Sequence, residues 1–160
     1  MSRSTFAGTG QYGGHVISQN SASYEQMKDS VNAVFHFNAF GVPITGADIC
    51  GYHGHASVEL CTRWHTLGAF YPLSRNHNEK NELPQEPYMF NERISDNKET
   101  TYSDVIRTAL QLKYSLARYY FSEMHRISRL VIFSQLTCPG RSIVLAALLC
   151  LPQRPDHHRF

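Results

Sequence analysis

Two stretches decide how this chain folds. The first is Phe40-Gly41-Val42-Pro43-Ile44-Thr45-Gly46-Ala47-Asp48-Ile49-Cys50-Gly51-Tyr52. After a short polar loop, the second is Leu60-Cys61-Thr62-Arg63-Trp64 running into Leu67-Gly68-Ala69-Phe70-Tyr71-Pro72-Leu73-Ser74-Arg75-Asn76-His77-Asn78. Both have one plan, a short apolar, glycine-punctuated run that ends in polar groups. Asp48 closes the first run, and Arg75, Asn76 and His77 close the second. In parallel sheets, functional groups sit just past the carboxyl ends of buried strands. Two such ends in succession, with a helical segment between them, predict neighbouring βα units of an α/β fold converging on one pocket.

Working outward from this core, Ser23 followed by Gln26 is a capping-box pattern that opens a helix. Tyr24, Met27, Val31, Val34 and Phe35 share one helical face, and Gly41 ends the element. Ser57 is the expected N-cap of the next helix, with Leu60, Trp64 and Leu67 or Gly68 on its packed side. Residues 79–101 are polar and proline-punctuated, and read as a long surface connection, which is usually functional or disordered. One long helix is expected from about Ser103 to Ser128. Its broad apolar face comprises Val105, Ala109, Leu110, Leu112, Leu116, Tyr119, Tyr120, Met124 and Ile127. Toward the amino terminus, Arg3-Ser4-Thr5-Phe6 reads as the end of a strand, with no room for a signal peptide before it. Gly8, Gly10, Gly13 and Gly14 form a flexible loop that lacks the spacing of a phosphate-binding fingerprint, so no nucleotide cofactor is implied.

The chain has 160 residues, enough for one domain with a real core. Its net charge is +2 without a basic run, so a nucleic-acid partner is not implied. Residues 129–160 change character and are left as an unassigned, poorly ordered tail. Ile143 to Leu151 is apolar all round, yet shorter than the roughly 20 residues a membrane span needs. Aromatics beside polar groups suit a small polar ligand such as a sugar, and suit an ordinary core equally.

Three motifs carry a resemblance. Arg3-Ser4-Thr5-Phe6-Ala7-Gly8-Thr9-Gly10, Gly46-Ala47-Asp48-Ile49-Cys50-Gly51 and Leu67 through Asn78 resemble, in order and spacing, the α-glucosidases of glycoside hydrolase family 31. The resemblance runs from Ser2 to about Arg126, which gives residues 1–128 as part of a catalytic barrel. It implies the later portion of a (β/α)8 barrel, incomplete, acting in carbohydrate metabolism on an α-glucoside or maltooligosaccharide without a cofactor. It also implies a secretory, lysosomal or extracellular setting. Such enzymes retain configuration with two carboxylates, one nucleophilic and one acidic, roughly 5–5.5 Å apart.

By position, the resemblance assigns Arg3, Asp48 and His77 to holding the terminal glucose, with Tyr52 where the family usually has Phe. The family pattern Gly-His-Trp-x-Gly-Asp-Asn aligns with Gly14-His15-Val16-Ile17-Ser18-Gln19-Asn20, so Gln19 stands at the acid/base position. An amide has no titratable proton to give. The family's nucleophile motif, Trp-x-Asp-Met-Asn-Glu, does not occur in the chain. The expectation is therefore a chain without catalysis of its own, either an inactive piece of such an enzyme or a sugar-binding remnant.

Read without the family, these residues keep plainer alternatives. Arg3 is then a solvated charge, Asp48 a turn cap, His77 a loop residue and Tyr52 a core aromatic. Cys50, His53, His55 and Cys61 have zinc-like ligand types at a spacing that fits no common structural zinc pattern, which leaves a metal-binding protein as a third reading. In the eukaryotic members of the family the cysteines matching Cys50 and Cys61 form a disulfide, and the resemblance implies the same pair here.

Overall fold

The computed structural model describes residues 1–95 and 99–130. Three strands form one sheet in the order β1 (His15–Ile17), β2 (Thr45–Ile49) and β3 (Arg75–Asn76). Both pairings are parallel. Ile17 lies beside Ala47, and Asp48 beside Arg75. On the far side of β1, Ser2 makes one more parallel bridge to His15. Its N–H donates to the Gly14 carbonyl, and its carbonyl accepts from the Val16 N–H, both at 3.0 Å. Helix α1 (Tyr24–Ala39) crosses from β1 to β2, and α2 (Val58–Gly68) from β2 to β3. Strands that neighbour in sequence and space, each followed by a helix, are the wall of an α/β barrel, here a partial one.

The helix boundaries follow their caps. The Ser23 hydroxyl oxygen accepts from the Gln26 N–H, and that of Ser57 from the Leu60 N–H, each at 3.2 Å. Gly41 stops α1 with φ +82, a backbone conformation cheap only without a Cβ. Met27, Val31 and Val34 of α1 pack with Ala47, Ile49, Leu60, Trp64, Leu67, Tyr71, Phe90 and Ile106 in one buried core. Tyr24, expected on that packed face, is exposed instead. Gly46 is a close-approach position, because a Cβ there would lie 1.9 Å from the Leu73 carbonyl oxygen.

Two expectations are corrected. The long helix is two helices, α3 (Tyr102–Ser115) and α4 (Ala117–Leu130), broken at Leu116 with ψ near zero. The Leu116 N–H is shared between the carbonyls of Leu112 and Lys113, while the Ser115 hydroxyl donates to Leu112 O at 2.7 Å. Such local side-chain bonding competes with the helical ladder and bends it. The expected apolar face is correspondingly cut short. Ile106 and Ala109 are buried, but Leu112 and Tyr119 are exposed. What holds this region to the core is polar as well as apolar: Lys113 Nζ donates to Tyr71 O at 2.6 Å, and the Tyr120 hydroxyl to Phe70 O at 2.7 Å.

The second correction concerns the 79–101 connection. It does not merely run over the surface, because Gln85 and Phe90 are buried. It also prepares α3, where Thr101 and Asp104 cap each other reciprocally. These bonds from Thr101 hold the Asp104 carboxyl below its ordinary pKa.

Tyr71 sits at the centre of the core with its hydroxyl bonded to that of Ser30, which in turn donates to Met27 O. Burial pushes this phenol from 10 up to about 12. A raised folded-state pKa means the native state holds the proton more tightly than the unfolded chain. Its contribution is therefore complete below about pH 10 and is lost as pH rises through about 12. Two pKa units correspond to roughly 2–3 kcal/mol. Denaturant unfolding followed between pH 9 and 12 is expected to show this alkaline loss, with Tyr71→Phe removing its share and Tyr120, whose phenol burial also pushes up to about 12, supplying the rest. An unchanged alkaline limb in Tyr71→Phe would assign the loss elsewhere.

Candidate functional site

The candidate residues all lie at the carboxyl ends of the parallel strands. Arg3 follows the Ser2 bridge, Gln19 follows β1, and Asp48 is the penultimate residue of β2. Tyr52 is in the loop after β2, and His77 comes directly after β3. The strand plan read from Phe40 to Asn78 thus delivers its polar ends to one side of the sheet.

Asp48 is fully enclosed, with no exposed surface. An isolated buried carboxylate is costly unless it is bonded and compensated. Here Ser18 Oγ donates to Asp48 Oδ2 at 2.8 Å, and Arg75 Nε lies 3.7 Å from Oδ1. Parallel register explains both partners, since Ser18 extends β1 beside β2 and Arg75 is the register partner of Asp48 on β3. Asn20, also buried, donates from Nδ2 to the Asp48 carbonyl at 2.9 Å. Its own carbonyl accepts from the N–H groups of Tyr52 and His53, at 2.7 and 3.1 Å.

Arg3 and Gln19 meet directly, the guanidinium Nη1 donating to Gln19 Oε1. Gln19 is held at φ +63, a region non-glycine residues rarely occupy. The rings of Tyr52 and His77 lie 5.1 Å apart at their centroids, tilted by 43°. The structure therefore groups the sequence-nominated residues as three local sets: Arg3 with Gln19, Asp48 with Ser18 and Arg75, and Tyr52 with His77. As chemistry, this is a carboxylate, two guanidinium groups, an amide and an aromatic pair, a mixture suited to polyhydroxylated ligands.

The cysteines are settled by geometry. Cys50 and Cys61 are disulfide-bonded with Cα atoms 4.5 Å apart, inside the roughly 4.4–6.8 Å range that such a bond needs. The zinc-like set does not assemble. His53 Nδ1 pairs with Glu79 at 2.9 Å, and His55 Nδ1 with Glu82 at 2.8 Å. The imidazole that does approach the sulfurs is His65, 3.5 Å from Cys50 Sγ and 3.7 Å from Cys61 Sγ. Both sulfurs are already spent on each other, so neither is a thiolate ligand. His65 Nδ1 donates to Cys61 O at 2.9 Å, and Nε2 faces Asn76 Nδ2 at 3.4 Å. Burial lowers its pKa, with the Cys61 carbonyl acting in the opposite direction.

Sequence reasoning missed Ser18, Asn20 and Gln85. Ser18 and Asn20 were quoted only as parts of a motif, and nothing in their spacing announces a bond to Asp48. Among the described residues, no helix is long and apolar enough to cross a membrane.

Comparison with known proteins places this strand-end architecture in a class. Residues 1–123 match the description "Glycosyl hydrolases family 31 TIM-barrel domain". The chain belongs to glycoside hydrolase family 31. It is 47% identical over 125 residues to the lysosomal alpha-glucosidase of Rattus norvegicus, and 41% identical over 127 residues to the intestinal sucrase-isomaltase of Homo sapiens. These matches cover 78% and 79% of this chain but only 12% and 6% of the relatives. Among solved structures, the family 31 alpha-glucosidase of Bacteroides thetaiotaomicron superposes with a TM-score of 0.68 at 29% identity, over 79% of this chain and 20% of that one. The glucosidase II alpha subunit bound to Glc1Man2 gives 0.68 at 30% identity, over 77% of this chain and 12% of that one.

Proposed function

We propose that this chain holds the terminal glucosyl unit of an α-glucoside or maltooligosaccharide through Arg3, Asp48, Tyr52 and His77, and that these 160 residues do not hydrolyse it unaided. The observation that carries the binding half is Asp48. It is a fully buried carboxylate at the end of a parallel strand, bonded by Ser18 and faced by Arg75. It stands where the family resemblance puts a glucose-holding Asp. Charge-assisted bonds to sugar hydroxyls are the stronger kind, which suits recognition of a neutral ligand.

The catalytic half rests on chemistry that is missing from this chain. Retaining hydrolysis needs a nucleophilic carboxylate and a proton-donating carboxylic acid. The nucleophile motif does not occur in the sequence, and Gln19 occupies the acid/base position. Gln19 also has its amide oxygen engaged by Arg3. The reading includes a secretory or lysosomal setting, supported by the disulfide and by relatives named as lysosomal alpha-glucosidases. It takes residues 1–128 as the barrel portion and 129–160 as a separate tail.

Titration calorimetry of the purified chain with maltose is the test. Saturable binding is expected, weakened about ten- to hundredfold by Asp48→Asn, because a hydrogen bond to a charged group is worth roughly 1.5–3 kcal/mol. Absence of saturable heat, or equal affinity in Asp48→Asn, would leave the chain as a piece of barrel without a working sugar pocket.

A further inference from the structure

The loop after β2 turns unusually sharply before it delivers Tyr52. Cys50 has φ +74 and Gly51 φ +96, two successive residues in the left-handed region. Gly51 has no alternative, since a Cβ there would lie 2.5 Å from the Ala22 nitrogen. Cys50 has a Cβ, and a non-glycine residue in this conformation is strained. Such a conformation persists only where its surroundings over-determine it.

Beside the main-chain bonds of Tyr52 to the Asn20 carbonyl and the Glu79 N–H, two further restraints meet at this turn. One is the covalent bond from Cys50 to Cys61 on α2. The other is Gln85, a buried side chain from the 79–101 connection whose role the pocket reading leaves unexplained. Gln85 Nε2 donates to the Gly51 carbonyl at 3.1 Å and to Asn76 Oδ1 at 2.9 Å, with the Ile49 carbonyl at 3.4 Å. Asn76 returns the contact, its Nδ2 donating to the Gln85 main-chain carbonyl at 2.8 Å. The two carboxamides thus interlock between the last residues of β2 and β3. Gly51 precedes Tyr52 and Asn76 precedes His77, so each end of the interlock is one residue from a pocket ring.

We propose that Gln85 is a positioning residue of the sugar pocket, whose carboxamide, interlocked with that of Asn76, fixes the spacing between Tyr52 and His77. The inference rests on the pocket reading for its meaning but not for its geometry. Only a carboxamide serves here, because the side chain must donate to backbone carbonyls while pairing with a second amide. A glutamate carboxylate has no proton to donate, and a methionine of similar length donates nothing.

The experiment uses the full chain and reads the loop directly. Proton NMR of the unmodified protein is expected to show a ring-to-ring Overhauser effect between Tyr52 and His77, and Gln85→Met to reduce it at least threefold. The Trp64 indole resonance, from the core, is expected to stay in place. Maltose affinity is expected to fall about tenfold in the same variant. A Gln85→Met protein that keeps both the ring contact and the affinity within twofold would overturn the proposal, as would absence of the ring contact in the unmodified protein. If the ring contact collapses in Gln85→Met while the unmodified chain binds no maltose, the interlock stands and the pocket reading falls. Should Gln85→Met fail to fold, Asn76→Asp, which replaces the donation to the Gln85 carbonyl by an oxygen–oxygen contact and adds a carboxylate beside His65, is read in the same way. Global unfolding of both variants would make the pair a requirement of the fold rather than of ring spacing, and would also overturn the proposal.

Discussion

Pure chain mixed with p-nitrophenyl α-glucoside is expected to release nitrophenolate no faster than buffer does, and Gln19→Asp is expected to leave that result unchanged. The substrate is chosen for its leaving group, which departs with little protonation. It therefore tests the missing nucleophile rather than the missing acid. Restoring an acid at position 19 supplies at most the typical 10²–10⁴-fold of general-acid catalysis, and that factor multiplies a covalent step the chain has no motif to perform. Asp48 is the carboxylate in the candidate site whose substitution for the nucleophile this assay tests. Its Oδ2 is bonded by Ser18, while its buried Oδ1, 3.7 Å from Arg75 Nε, accepts no hydrogen bond and is the oxygen left for a sugar hydroxyl. Turnover well above background, abolished by Asp48→Asn or His77→Ala, would show that Asp48 attacks after all and would overturn the catalytic half of the proposed function.

Loss of the Cys50–Cys61 bond is expected to cost about 3 kcal/mol. The two residues are separated by 11 positions, and closing so short a loop in the unfolded chain accounts for that figure in the chain-entropy account. The left-handed turn at Cys50 works against this figure, because breaking a bond that holds a strained residue lets the strain relax. Domains are commonly stable by only about 5–15 kcal/mol, so the loss is a large share. Urea unfolding with and without a dithiol reductant measures it. The double variant Cys50→Ala/Cys61→Ala should match the reduced protein in stability. A difference below about 1 kcal/mol would mean that packing around His65 and Gln85, not the covalent link, holds this corner.

What the sequence disclosed, it disclosed through local rules. Ser23 and Ser57 are serines placed before apolar periodicity, and both cap as expected. Met27, Val31 and Val34 repeat at helical spacing and are buried. Asp48 and His77 follow short apolar runs and fall at strand ends. The misses come from bonds that no pattern announces, one of them local and the others between distant elements. The break at Leu116 arises from a serine hydroxyl competing for a carbonyl within a sequence that is periodic throughout. The apolar stripe across it, Leu112 to Tyr119, has the right spacing for burial, but periodicity says nothing of what lies opposite. Gln85, in Pro84-Gln85-Glu86-Pro87, has the signature of an exposed loop. Its partners, Gly51 and Asn76, come from two other elements, and no spacing rule connects them. The disulfide was legible only through family resemblance. The Thr101–Asp104 capping box is a local signal as well, and it starts α3 one residue before the expected Ser103.

The all-parallel register has a kinetic side. His15 finds Thr45, and Asp48 finds Arg75, only after an entire helix has been laid between them. No hairpin precedes either pairing, so the sheet has no local seed from which to zip. Each step closes a long loop before any strand contact rewards it, and sheets built this way assemble slowly compared with helical bundles of similar size. Until the strands meet, the apolar faces that α1 and α2 turn to the sheet have nothing to cover them, and apolar surface exposed in this way is what aggregation and chaperones act upon. Refolding yield should accordingly depend on protein concentration more steeply than equilibrium stability does, a property of how the strands are connected rather than of any single contact.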